Sequence, residues 1–232
     1  MPVQEKDPRF FFESIADQFD DLHNWYDLER RLAVIFDELL TEEMAGARVL
    51  DLGCGSGWFS RRAVERGVSL ISLDISESLA RITNKSTGMP AVTGEGGLLP
   101  FSQQSFDIVV SSEVLEHMDE PARGIKEVTR VLKPDGVFVM TTPNRLWLWL
   151  VNLATRLRLR PYEGYENFLG FAELRRMMVD AGLIVEQHFG FHPWPFQIKF
   201  MQRLSTRVDH RYGRGRWGRY MINQAIYARR GD

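Results

Sequence analysis

The sequence predicts an α/β fold with a mostly parallel sheet, and two observations support this. The first is the stretch from Arg48 to Asp74, in which two short apolar runs flank a glycine-rich turn and a helix-like segment. This order of strand, turn, helix and strand is a βαβ unit, and its crossover makes the two strands parallel. The second is FDIVVS at Phe106–Ser111, an unbroken apolar run of the kind found in strands that are buried on both faces. A length of 232 residues suits one such domain with appended segments.

The turn inside this unit carries three glycines, Gly53, Gly55 and Gly57. Glycine lets the backbone approach a ligand closely and adopt positive φ without strain. Asp74, at the tip of the second strand, can accept hydrogen bonds from both hydroxyls of a ribose. A dinucleotide fold would place its third glycine later, and Asp51 beside the turn would repel a pyrophosphate but attract a cation. The unit therefore predicts a site for a nucleoside that carries a cationic group. The alternative is a βαβ turn that binds nothing.

The run VLDLGCGSG at 49–57 resembles the first motif of class I S-adenosylmethionine-dependent methyltransferases. GEGGLLPF at 94–101 and SSEVLEHM at 111–118 resemble segments of the ubiquinone/menaquinone-biosynthesis O-methyltransferase group. The resemblance extends over about residues 10–190 and 220–230. It implies a seven-stranded, mostly parallel Rossmann-like sheet with helices on both faces and an antiparallel last strand. It also implies S-adenosyl-L-methionine as the cofactor, held by these residues: Asp51, Gly53, Gly55, Gly57, Asp74, Ile75, Glu95, Gly96, Gly97, Leu98 and Ser112.

Within GEGGLLPF, the resemblance implies contacts with the adenine of the cofactor. Members of the family bring an acidic residue near the adenine amino group, and Glu95 occupies that position here. The backbone of Gly96 and Gly97 is the alternative partner, and Leu98 is expected to supply an apolar wall.

Residues 1–45 are predicted to form an N-terminal helical region, and residues 46–232 the cofactor-binding domain. Apolar residues at helical spacing indicate one amphipathic helix over about Asp27–Leu40. This region either packs against the sheet or forms a lid over the substrate. Segments 145–168 and 191–220 are predicted substrate-side insertions, and the second is long enough that it should either contain helix or serve a function. Further strands are expected at 91–93, 137–141, 183–189 and 221–228, helices at 75–85, 127–132 and 171–181, and a turn at 133–136.

The segment SSEVLEHM carries a second candidate site. Glu113, Glu116 and His117 recur at helical spacing, so on a helix they would share one face. Two carboxylates and an imidazole at the carboxyl edge of a parallel sheet can hold a divalent cation such as Mg²⁺. The resemblance implies that metal sites of this type take a further histidine from downstream, and residues 161–168 contain none. The alternative is that Glu113 caps a helix and His117 is structural.

The formal net charge of −2 argues against a nucleic-acid partner, although the charge is unevenly distributed. Residues 1–144 carry 14 basic and 24 acidic side chains, whereas residues 145–232 carry 15 basic and 7 acidic ones. The single cysteine, Cys54, excludes a disulfide framework and a cysteine-based zinc site, and it indicates a reducing, cytoplasmic location. No signal peptide, transit peptide or membrane-spanning run is visible in the sequence.

LWLWLVNLATRLRLR at 146–160 places leucines along one helical stripe, with two tryptophans near its start and arginines at its end. The segment is too short and too charged to span a bilayer. It either covers the substrate pocket or lies on an anionic membrane surface, which would make the protein peripheral to a membrane.

Together these features predict S-adenosylmethionine-dependent O-methylation of a hydrophobic aromatic or quinol-like small molecule. The enzyme must align the acceptor, desolvate it and remove a proton. Bound Mg²⁺ would lower the pKa of a phenol. Without a metal, His117 or His192 is the expected general base, with His23 as a further candidate and Glu113 as the second catalytic residue. The alternatives are N- or C-methylation of a small molecule without metal, and a non-catalytic cofactor-binding subunit whose arginine-rich face docks a partner. RNA methylation is disfavoured because residues 161–168 lack the further histidine that such sites take from downstream.

Overall fold

A computed structural model describes residues 8–42, 44–157, 166–195, 197 and 199–231. The basic end of the 146–160 segment, with Arg158 and Arg160, and most of the 161–168 stretch lie outside the described residues.

The described residues form one seven-stranded sheet with helices on both of its faces. The strands are β1 (Arg48–Leu52), β2 (Ser69–Asp74), β3 (Ala91–Thr93), β4 (Phe106–Ser112), β5 (Leu132–Pro143), β6 (Leu183–Phe191) and β7 (Asn223–Arg230). The α-helices are α1 (Pro8–Ile15), α2 (Trp25–Leu32), α3 (Trp58–Val64), α4 (Glu77–Thr87), α5 (Pro121–Val131), α6 (Leu148–Arg156), α7 (Phe171–Asp180) and α8 (Gln202–Tyr212). A π-helical turn spans Ala33–Leu39, and short 3₁₀ helices lie at Ala16–Gln18, Asp20–Leu22, Leu115–His117, Arg145–Trp147, Lys199–Met201 and Gly218–Tyr220.

The strand order is β3-β2-β1-β4-β5-β7-β6. Strands β1 to β5 pair in parallel, whereas β7 runs antiparallel to both β5 and β6. This arrangement confirms the predicted fold class. The direction of winding reverses between β1 and β4, and ligands of open parallel sheets bind at such a reversal, beyond the carboxyl ends of the strands.

Two apolar clusters cover the two faces of the sheet. On one face, α5 and α7 pack Ile125 and Leu174 against sheet residues such as Phe138. On the other face, the π-helical turn packs Phe36 against residues such as Val139. Burial of both faces explains why the central strands read as unbroken apolar runs.

The helix predicted over Asp27–Leu40 begins earlier and changes type along its length. It starts at Trp25, where the side chain of Asn24 accepts a hydrogen bond from the Asp27 N–H at 3.3 Å. Beyond α2 the π-helical turn is closed by a bond of 2.9 Å from the Leu40 N–H to the Ile35 carbonyl. This wider turn buries the apolar side chains of three consecutive residues, 34–36.

The predicted turn at 133–136 lies within the span of β5. The pairing of β5 with β4 moves from Leu132 opposite Phe106 to Val137 opposite Ile108, so the four intervening residues bulge out of the ladder. The 191–220 insertion contains α8, as expected. No helix among the described residues is both long and apolar enough to cross a bilayer.

Candidate active site

A cavity of about 1420 Å³ opens beyond the carboxyl ends of β1, β2 and β4. Pockets for single small ligands usually measure about 300–1,000 Å³, so this cavity has room for a cofactor and an acceptor together. One part of its lining, the glycine wall, consists of Gly53, Gly55, Asp74, Ile75 and residues 94–97. Another part, the apolar wall, consists of Phe12, Ile15, Phe19, Trp147, Leu150, Val151, Ala154, Phe168 and Ile222.

The glycine turn adopts the backbone conformation that its sequence predicts. Gly53 has a φ of +74° and Gly55 a φ of +52°, where other residues are strained. A Cβ atom on Gly53 would lie 2.2 Å from a methyl group of Val114, and one on Gly55 would lie 2.6 Å from the ring of Phe19. Gly57 caps α3 and does not line the cavity. Glycine is therefore required at the first two positions, both because of their positive φ and because neighbouring side chains pack against them, and both residues line the cavity.

The Asp74 carboxylate is fixed by backbone donors. The Gly55 N–H donates to Oδ2 at 2.8 Å, and the Ser76 N–H donates to Oδ1 at 2.9 Å. Asp74 is buried, and burial raises the pKa of its carboxyl, whereas these backbone bonds lower it. A carboxylate has about four acceptor positions, so two backbone bonds leave positions for sugar hydroxyls.

Asp51 lies behind the turn and does not line the cavity. Its carboxylate accepts a hydrogen bond from the Ser60 hydroxyl at 2.5 Å, and the Ser60 hydroxyl in turn contacts that of Ser72 at 2.8 Å. Burial raises the pKa of Asp51 to about 7. Asp51 therefore does not contact a ligand in the cavity directly, and its charge could act on one only across the glycine turn.

Beyond β3, Glu95, Gly96 and Gly97 line the cavity, as expected for the adenine contacts. Leu98 does not line it: 66% of Leu98 is exposed, because the turn closed by Glu95 and Leu98 directs the leucine to solvent. The prediction that Leu98 supplies an apolar wall to the cavity was therefore wrong.

Glu113 follows β4 directly and has a φ of +58°, a strained value for a side chain of this kind. Its Oε1 atom is buried and has no hydrogen-bond partner. Burial raises the pKa of Glu113 to about 7, although the nearby Arg31 guanidinium opposes the shift. A buried carboxylate with an unpartnered oxygen in a cavity is suited to accept a proton.

Glu116 and His117 also line the cavity. The Thr142 hydroxyl donates to Glu116 at 3.0 Å, and burial together with the charge of Glu113 raises the pKa of Glu116 well above its usual value. The ring of Phe12 meets the His117 ring edge-on, with centroids 5.1 Å apart. The prediction that Glu113, Glu116 and His117 share a helical face was wrong, because positive φ at Glu113 precedes a single 3₁₀ turn over Leu115–His117.

The profile of a family described as a methyltransferase domain matches residues 24–188. The chain belongs to this methyltransferase family. It is 31% identical over 228 residues to a ubiquinone biosynthesis O-methyltransferase of Xanthomonas euvesicatoria pv. vesicatoria, covering 87% of this chain and 92% of the relative. A relative of the same description from Xylella fastidiosa is 31% identical over 183 residues, covering 73% of each.

Solved structures resemble this methyltransferase in fold. An S-adenosylmethionine-dependent methyltransferase from Mesorhizobium loti has a TM-score of 0.67 at 23% identity, covering 88% of this chain and all of the other. The cyclase SpnF has a TM-score of 0.61 at 21% identity, covering 89% of this chain and 79% of the other. At this level of sequence identity a shared fold does not define the reaction, which depends on the residues of the site.

The methyltransferase uses S-adenosylmethionine, and its glycine wall fits that cofactor. The backbone at Gly53 and Gly55, which line the cavity, would hold the amino-acid part. Asp74 would hold the ribose, and residues 94–97 would lie against the adenine. Ile75 and Ser112 line the same cavity and complete this set.

The predicted Mg²⁺ site does not fit the arrangement of the acidic residues. In the part of the chain that the structure describes, no three His, Cys, Asp or Glu side chains are grouped so that they could hold a metal ion. A guanidinium lies among these carboxylates instead: the pKa of Arg31 is raised by Asp27, Glu113 and Glu116, against the effect of burial. A fixed cation already neutralises the charge that a metal would offset.

Arg31 is the main site residue that the sequence analysis missed. Its Nε donates to Asp27 at 2.9 Å and its Nη1 donates to Ser112 at 3.0 Å, while the residue is only 6% exposed. One signal was available: Arg31 stands three residues after Leu28 and four before Ile35, so it lies on the apolar face of the helix. A charged residue on that face must find buried partners.

The two other histidines considered as bases have different environments. His192 is fully buried, does not line the cavity, and has its Nε2 atom 3.1 Å from Asp27. It therefore joins the end of β6 to α2 rather than reaching a substrate. His23 does line the cavity, and burial lowers the pKa of its imidazole, which keeps it neutral near neutral pH.

Proposed function

We propose that this methyltransferase transfers a methyl group to a hydroxyl oxygen of a hydrophobic, aromatic or quinol-like small molecule. The observation that carries the proposal is the carboxylate of Glu113, a residue that lines the cavity: burial raises its pKa to about 7, and its buried Oε1 atom has no hydrogen-bond partner. An oxygen acceptor needs such a base, because a neutral phenol with a pKa of about 10 is a poor nucleophile.

When bound, S-adenosylmethionine would supply a methyl group activated on its sulfonium sulfur, and cleavage of that carbon–sulfur bond would leave S-adenosylhomocysteine as the other product. Glu113 takes the proton of the acceptor hydroxyl as the oxygen–methyl bond forms, and later releases it to solvent. Arg31 stabilises the negative charge that develops nearby, because Asp27 and Ser112 hold its guanidinium in place. The apolar wall excludes water, which strengthens these electrostatic interactions.

The apolar wall also supports a hydrophobic acceptor. Helix α6 contributes Leu150, Val151 and Ala154 to the cavity, and Phe12 and Phe168 add aromatic surface. The two relatives of Xanthomonas and Xylella carry the name ubiquinone biosynthesis O-methyltransferase, which agrees with an acceptor of this class.

The proposal predicts turnover with lipophilic phenols, catechols or quinols. The purified chain would be incubated with S-adenosylmethionine and panels of phenols, quinols and amines, and release of S-adenosylhomocysteine would be measured with and without EDTA. We expect turnover with the hydroxyl acceptors and an unchanged rate in EDTA, since Arg31 supplies the cation.

Each other result of this screen points to a different function. Turnover with amines or carbon acceptors only would favour the alternative methyltransferases. Binding of the cofactor without turnover on any acceptor would favour a non-catalytic subunit. Loss of turnover in EDTA that Mg²⁺ restores would contradict the metal-free account.

The outer face of α6 supports contact with a membrane that delivers a lipophilic acceptor. While Leu150, Val151 and Ala154 line the cavity, Trp149 and Leu153 are 62% and 44% exposed. Arg156 lies in the last turn of the helix and is suited to anionic headgroups. The helix therefore has an apolar face toward the cavity, and toward solvent it exposes Trp149 and Leu153 beside the polar Asn152 and Arg156.

We expect the chain to float with anionic phospholipid vesicles, and the double substitution Trp149→Ser with Leu153→Ser to weaken this binding by roughly tenfold or more. Val179→Ser on α7 removes another exposed apolar side chain and is the matched control. Equal binding of the double variant and wild type would contradict membrane contact through α6.

A further inference from the structure

A second cavity, of about 620 Å³, lies beside the ends of β5 and α7 and is not used by the proposed reaction. Four arginines line it: Arg145, Arg175, Arg216 and Arg219. No lining residue is acidic, and the nearest identified counter-charge is Glu173, which pairs with Arg145. The cavity therefore carries an excess of positive charge.

Besides the arginines, the polar groups that line this cavity include the backbone at the start of α7 and the His188 ring. The first turn of α7 contributes Gly170, Phe171 and Ala172, and the first N–H groups of a helix have no partner within the helix. The Glu173 carboxylate accepts a hydrogen bond from the Gly170 N–H at 3.0 Å, so it offsets part of the positive helix dipole, and the following N–H groups of the turn remain as donors. His188 lines the cavity with its Nε2 atom 3.1 Å from Gln224, and its buried Nδ1 atom has no hydrogen-bond partner.

The walls between these groups are apolar and flat. The Phe171 and His188 rings stack at 3.5 Å with an angle of 5° between their planes, and Leu146 lies beside them. Burial lowers the pKa of His188 to about 4, so that its ring is neutral and does not add to the charge. The lining combines an excess of positive charge with flat apolar surface. It therefore suits a small multivalent anion attached to an organic group better than it suits a metal cation or a neutral sugar.

We propose that this cavity is a second ligand site that binds a phosphate group, carried either by a soluble phosphate ester or by a phospholipid headgroup. Guanidinium groups bind phosphate oxygens with paired hydrogen bonds, and the N-terminal turn of α7 adds backbone donors. The 3₁₀ turn Arg145–Trp147 separates this cavity from the large one, since Arg145 lines the second cavity and Trp147 the first.

The test uses the full chain and isothermal titration at constant ionic strength. The probes are inorganic phosphate, glycerol 3-phosphate, and vesicles of phosphatidylcholine with or without phosphatidic acid. Arg175→Gln and Arg216→Gln remove cavity arginines. Arg176→Gln is the matched control, because Arg176 is the exposed neighbour of Arg175 on the same helix and does not line the cavity.

We expect at least one phosphate-bearing probe to bind, and each cavity variant to weaken its binding by roughly tenfold, with no change for Arg176→Gln. Binding of the soluble probes identifies a soluble ester as the ligand source. Binding of phosphatidic acid vesicles alone identifies a lipid headgroup only if Arg175→Gln and Arg216→Gln weaken it, because α6 is itself expected to bind anionic vesicles. The proposal is overturned if no probe binds, or if Arg176→Gln weakens binding as much as Arg175→Gln does. The titration does not depend on turnover, so its outcome is separate from that of the proposed methyl transfer.

Discussion

Glu113→Gln is expected to lower turnover by about 10²–10⁴-fold, the usual contribution of a general base. The amide cannot accept the acceptor's proton, whereas the volume of the side chain is unchanged. The glycine wall does not include Glu113, so the affinity for S-adenosylmethionine should stay within about twofold, as for changes outside a binding contact. Release of S-adenosylhomocysteine and calorimetric titration of the cofactor measure the two quantities.

The same residue sets the expected pH dependence. Glu113 acts as a base only when it is ionised, so with a pKa of about 7 the wild-type rate rises as pH increases through about 7. In the folded chain this pKa is raised above 4.5, so ionisation of Glu113 makes the fold less stable as pH rises between these values. Glu113→Gln removes that effect, so it should be at least as stable as wild type above about pH 8, which separates lost catalysis from lost structure.

Glu116→Gln is the matched control for this prediction. Burial and the charge of Glu113 raise the pKa of Glu116 well above its usual value, which favours its protonated form. An amide resembles the protonated acid and can still accept the hydrogen bond from Thr142, so we expect a loss of less than about tenfold. Equal losses in the two variants, or a Glu113→Gln variant that keeps the wild-type rate, would remove Glu113 from the mechanism.

Asp74→Ala is expected to raise the Kd for S-adenosylmethionine by about 10²–10⁴-fold, since two hydrogen bonds to a charged carboxylate contribute roughly 1.5–3 kcal/mol each. Asp74 also accepts from the Gly55 and Ser76 N–H groups, so part of the loss comes from the glycine turn itself. Calorimetric titration with the cofactor and with S-adenosylhomocysteine measures the change.

Two further variants support this measurement. Asp74→Asn keeps the size of the side chain and one acceptor oxygen, and it should bind the cofactor more tightly than Asp74→Ala. Asp180→Asn, at the exposed end of α7, removes a carboxylate far from the cavity and should leave Kd unchanged. A folded Asp74→Ala variant that binds with the wild-type Kd would refute the assigned role of Asp74.

The cofactor half of the site was predictable because its residues are close in sequence. Gly53, Gly55 and Asp74 belong to one βαβ unit, and the spacing of that unit fixes where they meet. The positive φ values at the two glycines are conformations that only glycine adopts readily, so the residue type itself indicates them.

The acceptor half was less predictable because it depends on contacts between distant segments. Arg31 reaches Ser112, and Asp27 reaches His192, and no local pattern indicates either pairing. The helical spacing of SSEVLEHM was misleading for a different reason. A positive φ at Glu113, a residue that seldom adopts it, ends the strand and allows only a 3₁₀ turn.

The most direct test of the whole account is a crystal structure of the chain soaked with S-adenosylhomocysteine. We predict that both ribose hydroxyls donate to Asp74, with the amino-acid part against Gly53 and Gly55 and the sulfur facing the Glu113 side of the cavity. A nucleoside bound elsewhere, or an Asp74 carboxylate without contact to the sugar, would contradict the account.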